Sequence, residues 1–476
     1  MGDPRGFIKV KRVGFGYRPV AERVKDYNEV AVMHSEAQQK EQASRCMDCG
    51  TAFCNWGCPL GNYIPEWNDS AFKGRWQDAF KLLDETATMP EVTGRVCPSP
   101  CEFSCVLGIG DAPVTIRDNE LAIIEKAWKE GYVKPRIPEV RTGKKVAVIG
   151  AGPSGIASAM DLNRAGHTVT VFEKTDRIGG FMRYGIPDFK LPKNVLDRRI
   201  KLLEQEGVVF KTGINVGVDY DVEKLKKDFD AVVINTGCRV TRDMKVKGRE
   251  LNGIYQAVEY LEQSNRKVAG DAIAGEIIDA KGKNVLVIGG GDTGSDCVGT
   301  ANRQGAKSVV QVEILPQPSK ERPADQPWPK YPFVFKTTSS HEEGVERKWC
   351  ITTKEFIGEG GAVKKVKAAR VDWCTKPGER PSMSECAGSE FNIDADLVFL
   401  SMGFTNPVKE GLLEKIGVKL NENGSVYRNP ETFETSVKGV FAAGDVSRGP
   451  SLIVWAFTEG KKAAAGINAY LTKKTV

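Results

Sequence analysis

The sequence has no run of 18 consecutive apolar residues, so no segment of it reads as a membrane-spanning helix. The opening stretch, Met1 to Arg12, has no apolar core of the secretory type, and without export a disulfide framework is not expected. A long basic block is missing too. The 68 Lys and Arg set against 62 Asp and Glu leave a net +6 spread along the chain, which does not argue for nucleic acid. Histidine is scarce: His34, His167 and His341 are the only three and fall in no motif, so they read as structural. Low-complexity tracts are also missing. The remaining composition, 41% hydrophobic and 27% charged over 476 residues, fits a globular protein of about three domains. The expected location is cytoplasmic, with neither membrane nor nucleic acid as partner.

Two residue types are abundant and unevenly placed. There are 50 glycines and 12 cysteines, and seven of the cysteines fall between residues 46 and 105. That stretch lies among short helical patterns. Trp67, Phe72, Trp76, Ala79, Phe80 and Leu83 stand at helical spacings, and Leu121 to Trp128 reads similarly. A small helical domain over residues 1–140 is expected, ending in the proline-bearing linker Tyr132 to Pro138.

From Gly143 the pattern changes to strand, glycine turn, helix, strand. Val146 to Ile149 is a continuous apolar run, as in a strand buried on both faces. It enters Gly150-Ala151-Gly152-Pro153-Ser154-Gly155, then a helix to about Arg164 and a strand Thr168 to Phe172 that ends at Glu173. In such a turn the first glycine makes the bend, the second admits a pyrophosphate, and the third lets helix and strand pack closely. The helix N-terminus faces the phosphates, and the terminal Glu accepts from a ribose hydroxyl. The unit recurs. Asn284 to Ile288, Gly289-Gly290-Gly291-Asp292-Thr293-Gly294, a helix to about Gln304, and Ser308 to Val312 ending at Glu313 repeat the same order. One such glycine motif is weak evidence; two with full context predict two dinucleotide sites.

Each unit is followed by a later apolar strand, Ala231 to Gly237 (with Thr236 and Gly237 at its end) and Leu397 to Gly403. Further on, Thr435 to Asp445 ends in Gly444-Asp445, where a carboxylate can meet a ribityl hydroxyl, and a helix is expected from Ser451 to Ala465. In this combination the chain resembles the flavoproteins with two dinucleotide-binding domains. The resemblance implies that the first unit and the Gly444-Asp445 segment hold FAD, and that the second unit, inserted into the first, holds NAD(P)H. Arg177-Ile178-Gly179-Gly180 matches the flavin-proximal loop of that family. The fold class is thus α/β: an N-terminal helical domain followed by two Rossmann-like domains, with boundaries expected at 1–140, 141–245 with 405–476, and 246–404. A carboxylate at position 313 suits a ribose 2′-hydroxyl and repels a 2′-phosphate, which favours NADH; Lys320 and Arg322 leave NADPH open.

The clustered cysteines run C-x2-C-x4-C-x3-C, then after 38 residues C-x3-C-x3-C. One zinc site from Cys46, Cys49, Cys54 and Cys58, with free thiols beside it, is one reading. Seven thiolates exceed one such site and fall one short of two all-cysteine cubanes. Next to a flavin, which accepts two electrons together and can release them singly, iron–sulfur clusters have something to carry.

With this domain in front, the whole chain is similar to the glutamate synthase small (beta) subunit family. The matching landmarks are Gly6-Phe7, Arg18-Pro19-Val20, Arg45 to Gly50, Gly94 to Pro98, Tyr184 to Pro187 and Lys190 to Lys193. The resemblance implies two 4Fe-4S clusters, one on Cys46, Cys49, Cys54 and Cys105, the other on Cys58, Cys97 and Cys101 with Glu120 as fourth ligand. It further implies hydride transfer from NADH or NADPH to FAD, with single electrons leaving through the clusters. Their destination is the large (alpha) subunit, which makes L-glutamate from glutamine and 2-oxoglutarate. No side chain is expected to act as a catalytic acid or base. Gly2 excludes an N-terminal cysteine nucleophile for glutamine hydrolysis in this chain. An alternative is a related reductase subunit, similar to dihydropyrimidine dehydrogenase or a bifurcating transhydrogenase, serving another acceptor. Cys238, Cys297, Cys350, Cys374 and Cys386 read as small apolar residues.

Overall fold

A computed structural model of the chain describes residues 2–374 and 381–473. Among the described residues up to 140 the elements are short helices joined by turns and loops, with one two-residue strand pair, Gly16–Tyr17 and Ala31–Val32. The helical spacing over residues 67–83 is carried by two helices rather than one, Ile64–Phe72 and Trp76–Thr86, because Gly74 turns the chain at φ +74° between them. Their apolar faces (Trp67, Ala71, Trp76, Ala79, Phe80 and Leu83) meet Leu121, Ile123 and Ile124 of helix Ile116–Lys129 in one core. Burial of each large apolar side chain there contributes ~1.5–3 kcal/mol.

Two five-stranded parallel sheets follow. The first has the order Val440–Ala442, Ala231–Ile234, Lys145–Ile149, Thr168–Phe172, Val209–Lys211. The second has the order Glu346–Lys348, Ser308–Val312, Asn284–Ile288, Leu397–Leu400, Ile254–Gln256. All strands of the second lie in sequence between Ala231–Ile234 and Val440–Ala442, so the second Rossmann-like unit is inserted into the first. Helices cover these sheets, and Val146, Ala147, Val148, Val285, Leu286 and Val287 are fully buried, which accounts for the unbroken apolar runs. The closing strand is only Val440–Ala442, and the last helix is longer than expected, Ile453–Thr472.

Not anticipated is an antiparallel sheet in the inserted unit, built from Ile351–Glu359, Ala362–Cys374, Ser382–Glu385 and Phe391–Asp394. Its longest strand, Ala362–Cys374, intersperses exposed Lys and Arg with buried Val and Ala, the signature of a half-exposed sheet. Phe356, Val363 and Val366 face inward onto Leu286 and Val398.

Buried ion pairs join the domains. Arg199 and Glu91 form a two-point pair at 2.6 and 2.8 Å, both almost wholly buried. Glu343 receives Arg23 at 2.8 Å and Arg303 at 2.5 Å, so the N-terminal domain is clamped to the inserted unit. A strap of the inserted unit also reaches the cysteine-bearing helices. Arg322 Nη2 donates to Phe103 O (2.9 Å), Ser104 Oγ donates to Pro329 O (2.8 Å), and Trp328 packs on Phe53.

Candidate dinucleotide and cluster sites

The two glycine turns are built alike. A Cβ on Gly155 would stand 1.9 Å from Gly150 O, and one on Gly294 2.4 Å from Gly289 O, so only glycine permits the close helix–strand approach at either place. Gly152 and Gly291, by contrast, face open space, with nothing within 4 Å of a Cβ. Each precedes a helix, Pro153–Arg164 or Asp292–Gln304, whose first-turn N–H groups have no intrahelical acceptor. A cradle of this kind fits a pyrophosphate.

The terminal glutamates behave as a matched pair. Glu173 accepts from Ala151 N (2.9 Å) through Oε2 and from Thr175 N and Oγ1 (both 2.9 Å) through Oε1. Glu313 accepts from Gly290 N (2.7 Å) and from Leu315 N (3.0 Å). Each carboxylate is thereby fixed beside its turn, with lone pairs left for a ribose hydroxyl.

The first turn opens on a cleft. Its walls include Gly150, Gly152, Pro153, Ser154, Glu173, Gly180, Thr236, Gly237 and Asp445. Asp445 accepts from Ser451 Oγ (2.7 Å), and burial pushes its carboxyl up to about 6. Gly444 brings this segment onto the turn: a Cβ there would lie 2.7 Å from Ser154 Cβ. Two wall residues had no expected role: Asn235 was given none, and Cys238 read as a small apolar residue. Asn235 Oδ1 accepts from Ser154 Oγ (2.6 Å) while its Nδ2 is buried without a partner in the protein; Cys238 Sγ donates to Asp445 O (3.1 Å). The only signal for either was adjacency to Thr236-Gly237.

Arg177 stands apart from this wall. Its guanidinium pairs with Asp271 of the inserted unit (Nη1 to Oδ2, 2.8 Å), at the seam between the units, while Gly179 packs against Arg183. The landmarks Tyr184 to Pro187 and Lys190 to Lys193 occupy the same seam. Asn265 Nδ2 donates to Tyr184 O (3.0 Å), and Lys190 pairs with Asp296 at 2.5 Å. Around the second turn the crevice is open: Gly291 and Asp292 are exposed and Thr293 is half-buried. Arg322 is turned away to Phe103. No histidine lines the cleft at the first turn: His167 is bonded to Thr142 and Asn468, His341 to Gln311, and His34 to Gly14 O.

The seven clustered thiols divide between two voids. Cys46, Cys49, Cys54 and Cys105 line one; Cys58, Cys97, Cys101 and Glu120 line another. Ile64 and Ile116 line both and form the partition. Among the described residues, no three His, Cys, Asp or Glu side chains draw together closely enough for a single metal ion. Soft thiolates spread around a void fit a polynuclear iron–sulfur core better than a lone zinc. Burial raises the Cys46 and Cys58 thiols to about 11 and Cys97 to about 12, so ionised ligands there need a cationic core. Burial also raises the Glu120 carboxyl, to about 8. The other five cysteines are not part of either ring.

Comparison with known proteins bears on this geometry. Residues 144–460 match the family described as pyridine nucleotide-disulphide oxidoreductase, and residues 23–132 match dihydropyrimidine dehydrogenase domain II, 4Fe-4S cluster. The glutamate synthase (NADPH) small chain of Mycobacterium tuberculosis strain H37Rv is 50% identical over 476 residues, covering 99% of this chain and 96% of the relative. The chain belongs to the glutamate synthase small-chain family. The Bacillus subtilis small chain, also named for NADPH, is 43% identical with both chains fully covered. The glutamate synthase (NADH) of Schizosaccharomyces pombe is 44% identical over 99% of this chain, which spans 23% of that longer protein. In fold, the small-chain architecture is similar to Mycobacterium tuberculosis FprA in complex with NADPH, with TM-score 0.55 and 17% identity over 70% of this chain and 87% of that one. Fold and family together assign flavin, nicotinamide and iron–sulfur cofactors to the chain. Among the described residues no helix is long and apolar enough to cross a membrane.

Proposed function

We propose that this chain is the electron-input subunit of a cytoplasmic glutamate synthase, oxidising NADH and supplying electrons to a large subunit that forms L-glutamate from glutamine and 2-oxoglutarate. The observation that carries the reading is the division of seven thiols and Glu120 into two rings of four, in a chain that matches small chains along its whole length. FAD supplies the exchange between hydride transfer and single-electron transfer, and two 4Fe-4S clusters supply the onward route. Gly150, Gly152 and Gly155 with the helix from Pro153 would hold the FAD pyrophosphate, Glu173 its ribose, and Asp445 its ribityl chain. Gly289, Gly291, Asp292, Thr293 and Gly294 would receive the nicotinamide dinucleotide, with Glu313 on the adenosine ribose. No side chain is needed as acid or base; the protein's part is to orient two rings and exclude water. Relatives named for NADPH and for NADH match comparably, so the preference for NADH rests on Glu313 and on Arg322 being engaged elsewhere.

Anaerobic titration of the purified chain with NADH and with NADPH tests this reading. Bleaching of flavin and cluster absorbance, at lower NADH than NADPH, is expected, as is glutamate formation only after a large subunit is added. Glutamate synthesis by this chain alone would overturn it. The match of residues 23–132 to a dihydropyrimidine dehydrogenase domain supports the second reading, a reductase subunit for another acceptor. NADH-dependent pyrimidine reduction by the purified chain would favour that reading.

A further inference from the structure

Trp67 and Asn68 are consecutive on helix Ile64–Phe72 and both are wholly buried, yet Trp67 Nε1 and Asn68 Nδ2 reach no oxygen or nitrogen acceptor in the protein. Such orphans are rare in native interiors, because a buried donor without an acceptor loses its hydrogen bond to water and gains nothing. These two lie at special places. Trp67 lines the void of Cys58, Cys97, Cys101 and Glu120; Asn68 lines the void of Cys46, Cys49, Cys54 and Cys105. Consecutive helical residues point about 100° apart, so one turn of one helix serves two neighbouring sites.

The orientation of the Asn68 amide is set by a relay. Gln39 Nε2 donates to Asn119 Oδ1, and Asn119 Nδ2 donates to Asn68 Oδ1 at 2.8 Å. With its oxygen engaged, Asn68 is left with Nδ2 as a donor on the side of the thiols. Trp67 has no such relay: its ring fills the core and its single N–H has no acceptor but what the void contains.

We propose that Trp67 and Asn68 are hydrogen-bond donors to the sulfurs of the two clusters, each raising the reduction potential of its own cluster. An N–H aimed at cluster or ligand sulfur stabilises the reduced, more negative state and therefore raises the potential. Two donors on separate residues allow the two potentials to be adjusted independently within one small domain. This inference rests on the two-cluster reading above.

The test is a redox titration of the full-length holoprotein, followed by electron paramagnetic resonance. Trp67→Phe keeps the ring and deletes the N–H; one cluster's midpoint should fall while the other stays in place. Asn68→Leu should lower the other cluster's midpoint. Unchanged midpoints in Trp67→Phe with full iron content, or an equal shift of both clusters, would overturn the proposal. Should Asn68→Leu fail to load iron, the unaltered protein gives the answer: each reduced cluster should show a proton hyperfine coupling that disappears in D2O. Its absence counts against the proposal. Failure of the two-cluster reading shows separately, as iron in the unaltered protein short of two clusters.

Discussion

Thr93 donates through Oγ1 to Glu120 Oε1 at 2.5 Å, and Glu120 shares its void with Cys58, Cys97 and Cys101. The bond ties one carboxylate oxygen to helix Pro90–Val96 and so fixes a Glu on helix Ile116–Lys129 that would otherwise resemble any buried acid. As the proposed fourth ligand it would complete a ring of three thiols. Glu120→Ala is expected to lose about half the iron and the signals of one cluster, while the Cys46, Cys49, Cys54 and Cys105 cluster persists. Iron analysis with low-temperature electron paramagnetic resonance checks this, and two intact clusters would exclude Glu120 as a ligand.

Gly155→Ala and Gly294→Ala separate the two nucleotide sites. Each inserts a methyl against a carbonyl oxygen, at 1.9 and 2.4 Å, so the turn must open. Gly155→Ala is expected to purify without flavin. Gly294→Ala should retain flavin yet require far more NADH to bleach it, by a factor of ten or more if ~1.4 kcal/mol or more of binding is lost. Flavin content and anaerobic NADH titration read the two outcomes.

Glu313 both anchors its turn, through Gly290 N at 2.7 Å, and presents a carboxylate where the adenosine ribose would lie. Glu313→Gln retains an oxygen acceptor and removes the negative charge. A hydrogen bond to a charged group is worth ~1.5–3 kcal/mol, so NADH turnover with an artificial acceptor should fall about tenfold or more in kcat/KM. NADPH use should fall less or improve, as repulsion of a 2′-phosphate is relieved. A parallel loss for both nucleotides would leave Glu313 as an anchor only.

The buried pair Arg199–Glu91 ties helix Lys193–Glu206 to helix Pro90–Val96 across the seam between the flavin unit and the N-terminal domain. Removing one partner leaves an uncompensated buried charge, at a cost of ~3–5 kcal/mol. Glu91→Leu should therefore lower the thermal midpoint sharply. Glu91→Leu combined with Arg199→Met should recover most of it, because two apolar groups of similar size leave nothing charged behind. Calorimetry of the three proteins distinguishes a charge effect from a packing effect.

Much of the fold was legible because its signals are local. In each Rossmann-like unit the strand, Gly turn, helix, second strand and terminal Glu are contiguous, and the turn geometry leaves no residue but glycine at positions 155 and 294. Cysteine spacing is equally local, and it marked a metal-binding domain before any contact was known. Other features depend on residues remote in sequence. Cys105 joins Cys46, Cys49 and Cys54 only after helices have packed, and Arg177, read as flavin-proximal, meets Asp271 across a seam that does not exist in the unfolded chain. The antiparallel sheet at residues 351–394 escaped because its exposed face is charged, so its strands lack a continuous apolar run. In the sequence Trp67 reads as one apolar position of a helical pattern, and Asn68 carries no signal at all. Whether a buried N–H has an acceptor is a property of everything around it, and only the folded chain shows that these two reach no oxygen or nitrogen acceptor.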